Sequence, residues 1–124
     1  MIKTLVEQLA NFPGVHGCAL VDADTGMNWH HAGALADIEL IGEAAVEFWR
    51  VQRRLPACLQ NFGPLRSSAH SFDKRVIAIF PCSQVPELVL VCVAVKQTMD
   101  WATWGENLLL LKKALAPGAT SSVL

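Results

Sequence analysis

The chain has 124 residues, enough for one domain of ordinary size and too few for two. Of these, 52% are apolar and 17% charged, with a mean hydropathy of +0.34; the composition excludes disorder for the body of the chain and is oily for a soluble domain, whose charged share is about a quarter. Ten Lys and Arg against eleven Asp and Glu leave a formal charge of −1, so no cationic excess exists to neutralise phosphates and nucleic acid is not an expected partner. The longest unbroken apolar run, Leu88–Val95, falls far short of the roughly 18–20 residues of a membrane-spanning helix. The N-terminus, interrupted by Glu7, Gln8 and Asn11, offers no signal-peptide core, and the cytoplasm is the expected location. Cys18, Cys58, Cys82 and Cys92 are widely spaced without a C-x-x-C pair and read as reduced, mostly buried small residues.

Ile2, Leu5, Val6 and Leu9 share one face of a short helix that Phe12-Pro13-Gly14 ends. Val15 to Val21 reads as a strand, Asp22-Ala23-Asp24-Thr25-Gly26 as a turn with positive φ at its end, and Met27 to His31 as the return strand. A second helix is expected from Ile38 to about Leu55, with Asp37 as its N-cap and Pro56 as its stop. Glu39, Glu43 and Glu47 precede Arg50, Arg53 and Arg54 along it, the order that suits the helix dipole. At about 100° per residue, its apolar or small positions, Leu40, Ala44, Val51, Leu55, Phe48, Ile41, Gln52, Ala45, Ile38 and Trp49, cover about half the circumference, wider than the roughly 100° stripe that one core needs. That surplus calls for a second packing partner.

Leu65 to Phe72, rich in serine and holding His70, reads as an edge strand; Asp73-Lys74-Arg75 reads as a turn. Val76 to Phe80 and Leu88 to Val95 are apolar at every alternation, as expected of central strands covered on both faces, with Pro81 to Glu87 as a polar loop between them. A last helix begins near Asp100 and buries Trp101, Trp104, Leu108, Leu111 and Leu115. Residues 1–116 are expected to form the domain and 117–124 a flexible tail. The order helix, two strands, helix, three strands, helix implies an α+β sandwich around one antiparallel sheet.

Signatures of chemistry are sparse. No phosphate-cradling glycine loop occurs. His30 and His31 would point to opposite faces of a strand, His16 and Cys18 to the same face, without a third metal ligand in either case. Asp22 and Asp24 belong to a turn more readily than to an acid/base pair. Cys82 or Cys58 with His70 could in principle form a nucleophile pair, and Ser122-Val123-Leu124 has the form of a C-terminal peptide ligand. No cofactor and no metal is expected. On the second helix, Trp49 with Arg50 and Arg53 has the residue types of binding hot spots.

The segment Leu5-Val6-Glu7-Gln8-Leu9-Ala10-Asn11-Phe12-Pro13-Gly14-Val15-His16-Gly17-Cys18-Ala19-Leu20-Val21-Asp22-Ala23-Asp24-Thr25-Gly26 resembles the opening of Roadblock / dynein light chain domains: a short helix, P-G-V-x-G, a small-and-aliphatic strand and a D-x-x-G-type turn. Glu43-Ala44-Ala45 falls where such domains carry an alanine-rich second helix, and the order of elements agrees over roughly residues 2–115. The tryptophans Trp49, Trp101 and Trp104, Pro56 and the polar third strand depart from the pattern. The resemblance implies a five-stranded antiparallel sheet with profilin-like layers, the first and last helices on one face and the second on the other. It also implies non-catalytic dimers formed through the second helices and third-strand edges, acting on Ras-like small GTPases or other NTPases. The expected dimer interface is Ile41, Ala45, Phe48, Trp49, Gln52, Leu55, Ser68 and His70, and the expected partner-binding residues are Glu43, Arg50 and Arg53. The alternative is a small-molecule sensor or small enzyme with a pocket lined by Trp29, Trp101 or Trp104.

Overall fold

The computed structural model describes residues 1–96 and 99–117. Its elements are α1 (Ile2–Ala10), β1 (Val15–Asp22), β2 (Asn28–Ala32), α2 (Ile38–Arg50), β3 (Ser68–Ser71), β4 (Arg75–Gln84), β5 (Glu87–Val95) and α3 (Trp101–Leu115). The strands form one antiparallel sheet in the order β2-β1-β5-β4-β3, the α+β architecture expected from the sequence. Apart from Pro117, the expected tail lies outside the described residues.

β5 sits at the centre and is buried without a break from Leu88 to Ala94. Because successive side chains alternate between faces, an all-apolar strand needs cover on both. On one face Leu88, Leu90, Cys92 and Ala94 join Cys18, Leu20 and Cys82 beneath α1 and α3, which contribute Val6, Leu9, Trp104, Leu108 and Leu111. On the other, Val89, Val91 and Val93 join Ala19, Val21 and Ile79 beneath Ile38, Ala45, Val46 and Trp49 of α2. Trp104 closes the first layer by donating its indole N–H to the Leu9 carbonyl at 3.2 Å. The N-terminus of α3 is capped by Asp100, which accepts from the Thr103 amide at 3.2 Å and the Thr103 hydroxyl at 2.7 Å.

The β1–β2 connection forms as read: Asp22 Oδ1 accepts from the amides of Asp24 (2.8 Å) and Thr25 (3.1 Å), and Gly26 takes the positive φ of 79°. Five expectations are corrected. α2 ends at Arg50 and continues as a 3-10 turn, Val51–Arg54; Leu55 then turns extended, since the residue before a proline is driven out of the helical region. Asp37 occupies the N-cap position, but its side chain makes no capping hydrogen bond; its carbonyl accepts from Ile41 instead. β4 runs through Pro81 to Gln84, where a polar loop was expected, because a register shift between Pro81 and Ser83 accommodates the missing N–H. β3 is correspondingly short. Extending the Ser68↔Ile79 register would set Arg66 against Pro81, which cannot donate to the ladder, and only Ser68–Ser71 pair.

The fifth correction concerns His16. β1 carries a β-bulge against β5, with Val15 opposite Ala94 and Gly17 opposite Val93, so two residues of β1 advance against one of β5. Val15 and Cys18 pack under α1 and α3, whereas His16 lies with Ile41, Ile77 and Val93 on the α2 side. His16 and Cys18 therefore face opposite layers. The bulge is held by the Leu35 amide, which donates to the His16 carbonyl at 3.0 Å, and by Gly33, whose φ is +116° and whose position leaves no room for a side chain: a Cβ there would lie 2.5 Å from Gly17 Cα and 2.7 Å from the His16 carbonyl oxygen.

Gly33→Ala should lower the stability to urea unfolding by about 2 kcal/mol or more, through strain at positive φ together with the backbone clash. Gly105→Ala in α3, where an added Cβ meets nothing within 4 Å, should raise it by about 0.5–1 kcal/mol.

Candidate functional site: the outer face of helix α2 and the β3 edge

α2 packs on β1, β2 and β5 with a stripe of Ile38, Gly42, Ala45, Val46 and Trp49. Gly42 allows the close approach, since a Cβ there would come within 2.7 Å of Ala19 Cβ. Ala45 and Trp49, expected at the dimer interface, are each 2% exposed and belong to the protomer's own core. They lie on the sheet-facing side of the helix and are withdrawn from the candidate interface. Ile41 and Gln52 are half-buried and Leu55 is exposed.

Phe48 is 40% exposed and stacks on His70 of β3, with ring centroids 4.1 Å apart and planes 20° from parallel. His70 Nε2 lies 3.3 Å from Ser68 Oγ. The structure therefore brings Phe48, Ser68 and His70 together, joining the helix to the sheet edge as one surface. Leu40 (66% exposed) and Val51 extend it. Both belonged to the wide apolar arc of the sequence but lay outside the expected interface set; the missing signal was the angular position of the sheet-facing stripe, which Trp49 fixes.

The three residues expected to bind a partner separate. Glu43 is exposed and, among the described residues, makes no ion pair. Arg50 and Arg53 are engaged within the chain. Arg50 Nε donates to the Ala23 carbonyl at 2.7 Å, Nη2 to the Asp24 carbonyl at 3.2 Å, and Nη1 to Glu47. Arg53 Nη2 pairs with Asp24 Oδ1 at 2.9 Å and with Glu87; the hydrogen bond it donates to Glu87 is the main cause that raises its pKa above the ordinary arginine value. The two guanidinium groups pin the end of α2 to the β1–β2 turn and the β4–β5 hairpin.

No protein-family model matches the sequence, and no curated protein matches it. Among solved structures, the chain is similar to the Roadblock/LC7 domain from Streptomyces avermitilis, with a TM-score of 0.76 and 18% identity over 93% of this chain and 94% of that one. It is also similar to the gliding protein MglB from Thermus thermophilus, with a TM-score of 0.72 and 16% identity over 97% of this chain and 89% of that one. With Myxococcus xanthus MglB the TM-score is 0.69 and the identity 13%, over 99% of this chain and 96% of that one. The chain has the Roadblock/LC7 fold.

Within this Roadblock/LC7 fold the Cys82–His70 pair and the Asp22–Asp24 pair are not assembled. Cys82 lies in the layer under α1 and α3, on the opposite side of the sheet from the His70 ring that stacks on α2, so the two cannot act as a pair. Burial pushes the Cys82 thiol up to about 12, and Cys18, buried opposite Cys92, is raised well above its ordinary value, mainly by desolvation. Asp22 and Asp24 are occupied by the turn and by Arg53. Among the described residues no three His, Cys, Asp or Glu side chains converge as a metal site, and no helix is long and apolar enough to cross a membrane. Among the described residues, Trp104 is buried and meets Trp101 edge-on at 5.4 Å, Trp29 lies on the surface, and none of the three lines the shelf at Ile41 or the two clefts around Gln52 and Leu65.

Two outcomes follow from these positions. A thiol reagent at pH 8 should modify one cysteine rapidly, the exposed Cys58, and the other three only on unfolding, because the thiolate is the reactive form. Trp49→Ala should cost about 3–5 kcal/mol in chemical unfolding as a core truncation, whereas Phe48→Ala, on the surface, should cost a small fraction of that.

Proposed function

We propose that the protein is a non-catalytic dimeric adaptor or regulator that binds a Ras-like small GTPase or other NTPase through a surface centred on α2 and β3. The observation that carries this reading is the exposed apolar row Leu40, Phe48, Val51 and Leu55, which Phe48 joins to the β3 edge through its stack on His70. A row of this kind is the surface that a second copy would bury. The likeness to gliding proteins supports it, including an MglB with a tetrameric arrangement, at a TM-score of 0.71 and 15% identity over 99% of this chain and 90% of that one. The GTPase partner rests on the resemblance of the opening motif to Roadblock / dynein light chain domains.

The charge order of α2 favours self-pairing. A two-fold axis across the helix sets the N-terminal half of one copy, with exposed Glu39 and Glu43, against the C-terminal half of the other, with exposed Arg54. Opposite charges then meet around the apolar row. Glu43 remains the candidate for partner contact, and the free faces of the paired helices are where an NTPase would dock.

Light scattering should give twice the chain mass at micromolar concentration. Phe48→Glu, which buries a charge in a dry contact, should shift the protein to monomer without unfolding it, as judged by circular dichroism. A pulldown with the dimer should recover a P-loop GTPase or another NTPase, and the Phe48→Glu variant should lose it. A monomeric wild-type protein, or a dimer that retains no NTPase, would count against the reading.

A further inference from the structure

α2 covers the β2-β1-β5 half of its side of the sheet and leaves a shelf beside its first turn. The shelf has a volume of about 590 Å³ and is lined by Ile41, Phe72, Ile77 and Val93 with His16, Lys74 and Arg75, within the range of about 300–1,000 Å³ common for small-ligand pockets. Its floor is apolar and its charged groups have one sign. No acidic residue lines it, and among the described residues neither Lys74 nor Arg75 makes an ion pair, in a chain whose total charge is −1.

His16 reaches this shelf only because of the β-bulge at the start of β1, which turns it from the α1/α3 layer to the α2 layer. Gly33 and the Leu35 amide hold that bulge. Bulges that re-aim a side chain are over-represented next to binding and active sites. Here the bulge adds an imidazole to two unpaired cations above an apolar floor. A second copy paired through α2 does not match this charge: the two-fold that sets opposite halves of the helices together brings the other copy's basic C-terminal half toward the Ile41 end.

The geometry points to a site for a small amphiphilic carboxylate: an apolar body of roughly eight carbons laid on Ile41, Ile77, Val93 and Phe72, with its head group on Arg75 and Lys74. A guanidinium recognises a carboxylate through two parallel hydrogen bonds, and the exposed cations need give up little hydration to receive it. Only the exclusion of a second copy from the shelf rests on the α2 pairing proposed above. A failed pulldown leaves the carboxylate site untouched, and a failed titration leaves the dimer untouched.

The test is a titration of the ¹⁵N-labelled full chain with octanoate, followed by amide shifts. Saturable shifts confined to His16, Lys74–Ile77 and Val93 are expected, with none from octanol or octyltrimethylammonium at the same concentrations. Lys74→Ala/Arg75→Ala should weaken binding at least tenfold, and Arg75→Lys with Lys74 intact should fall between the two, since it keeps the charge and loses the paired hydrogen bonds. Shifts that fail to saturate or map elsewhere overturn the proposal, as does equal binding of octanol or an unchanged affinity of the double variant. Shelf amides that move with protein concentration in the absence of octanoate would show a second copy as the occupant and overturn it as well.

Discussion

β5 imposes the central constraint. Its side chains from Leu88 to Ala94 are buried on both faces, and no single layer of helices can bury both sides of a sheet. The chain meets one side with two helices and the other with one. α1 and α3 together cover Leu88, Leu90, Cys92 and Ala94, with Trp104 held by its hydrogen bond to the Leu9 carbonyl. α2, 13 residues long, spans about 20 Å and packs on β1, β2 and β5, leaving the β4–β3 side of that face partly open. The exposed apolar row of α2 and the open β4–β3 side of that face go with this imbalance of two helices against one.

What lies at the two ends of the open half differs in chemistry. Toward β3 the Phe48–His70 stack makes a surface whose apolar row extends along the helix. Near the helix N-terminus the shelf is ringed by His16, Lys74 and Arg75. The clamp of Arg50 and Arg53 on the β1–β2 turn and Glu87 fixes the far end of α2, so both surfaces rest on a helix anchored at its C-terminal end by hydrogen bonds and along its length by Gly42, Val46 and Trp49.

The sequence revealed the layers well because they depend on periodicity: the i, i+3, i+4, i+7 helices, the doubly apolar β5 and the Asp22–Gly26 turn all carry local signals. The orientation of α2 was not legible. A helix with half its circumference apolar has no unique buried stripe, and Trp49 and Phe48 are neighbours that the sheet alone assigns to inside and outside. Arg50 and Arg53 looked like partner contacts because their true partners, the carbonyls of Ala23 and Asp24 and the carboxylates of Asp24 and Glu87, are distant in sequence. The bulge at His16 escaped for a similar reason: alternation predicts a face only while the register with the neighbouring strand holds.

Pro81 has an effect that reaches beyond its own strand. By ending β3 after four paired residues, it limits the exposed ladder along which another sheet could grow. A strand of that length offers a few backbone hydrogen bonds, each contributing about 1 kcal/mol net, too few to hold two molecules together or to seed stacking of many. The edge can set the register of a contact, while its strength has to come from side chains on α2. The β3 edge therefore offers little ladder for another sheet to extend.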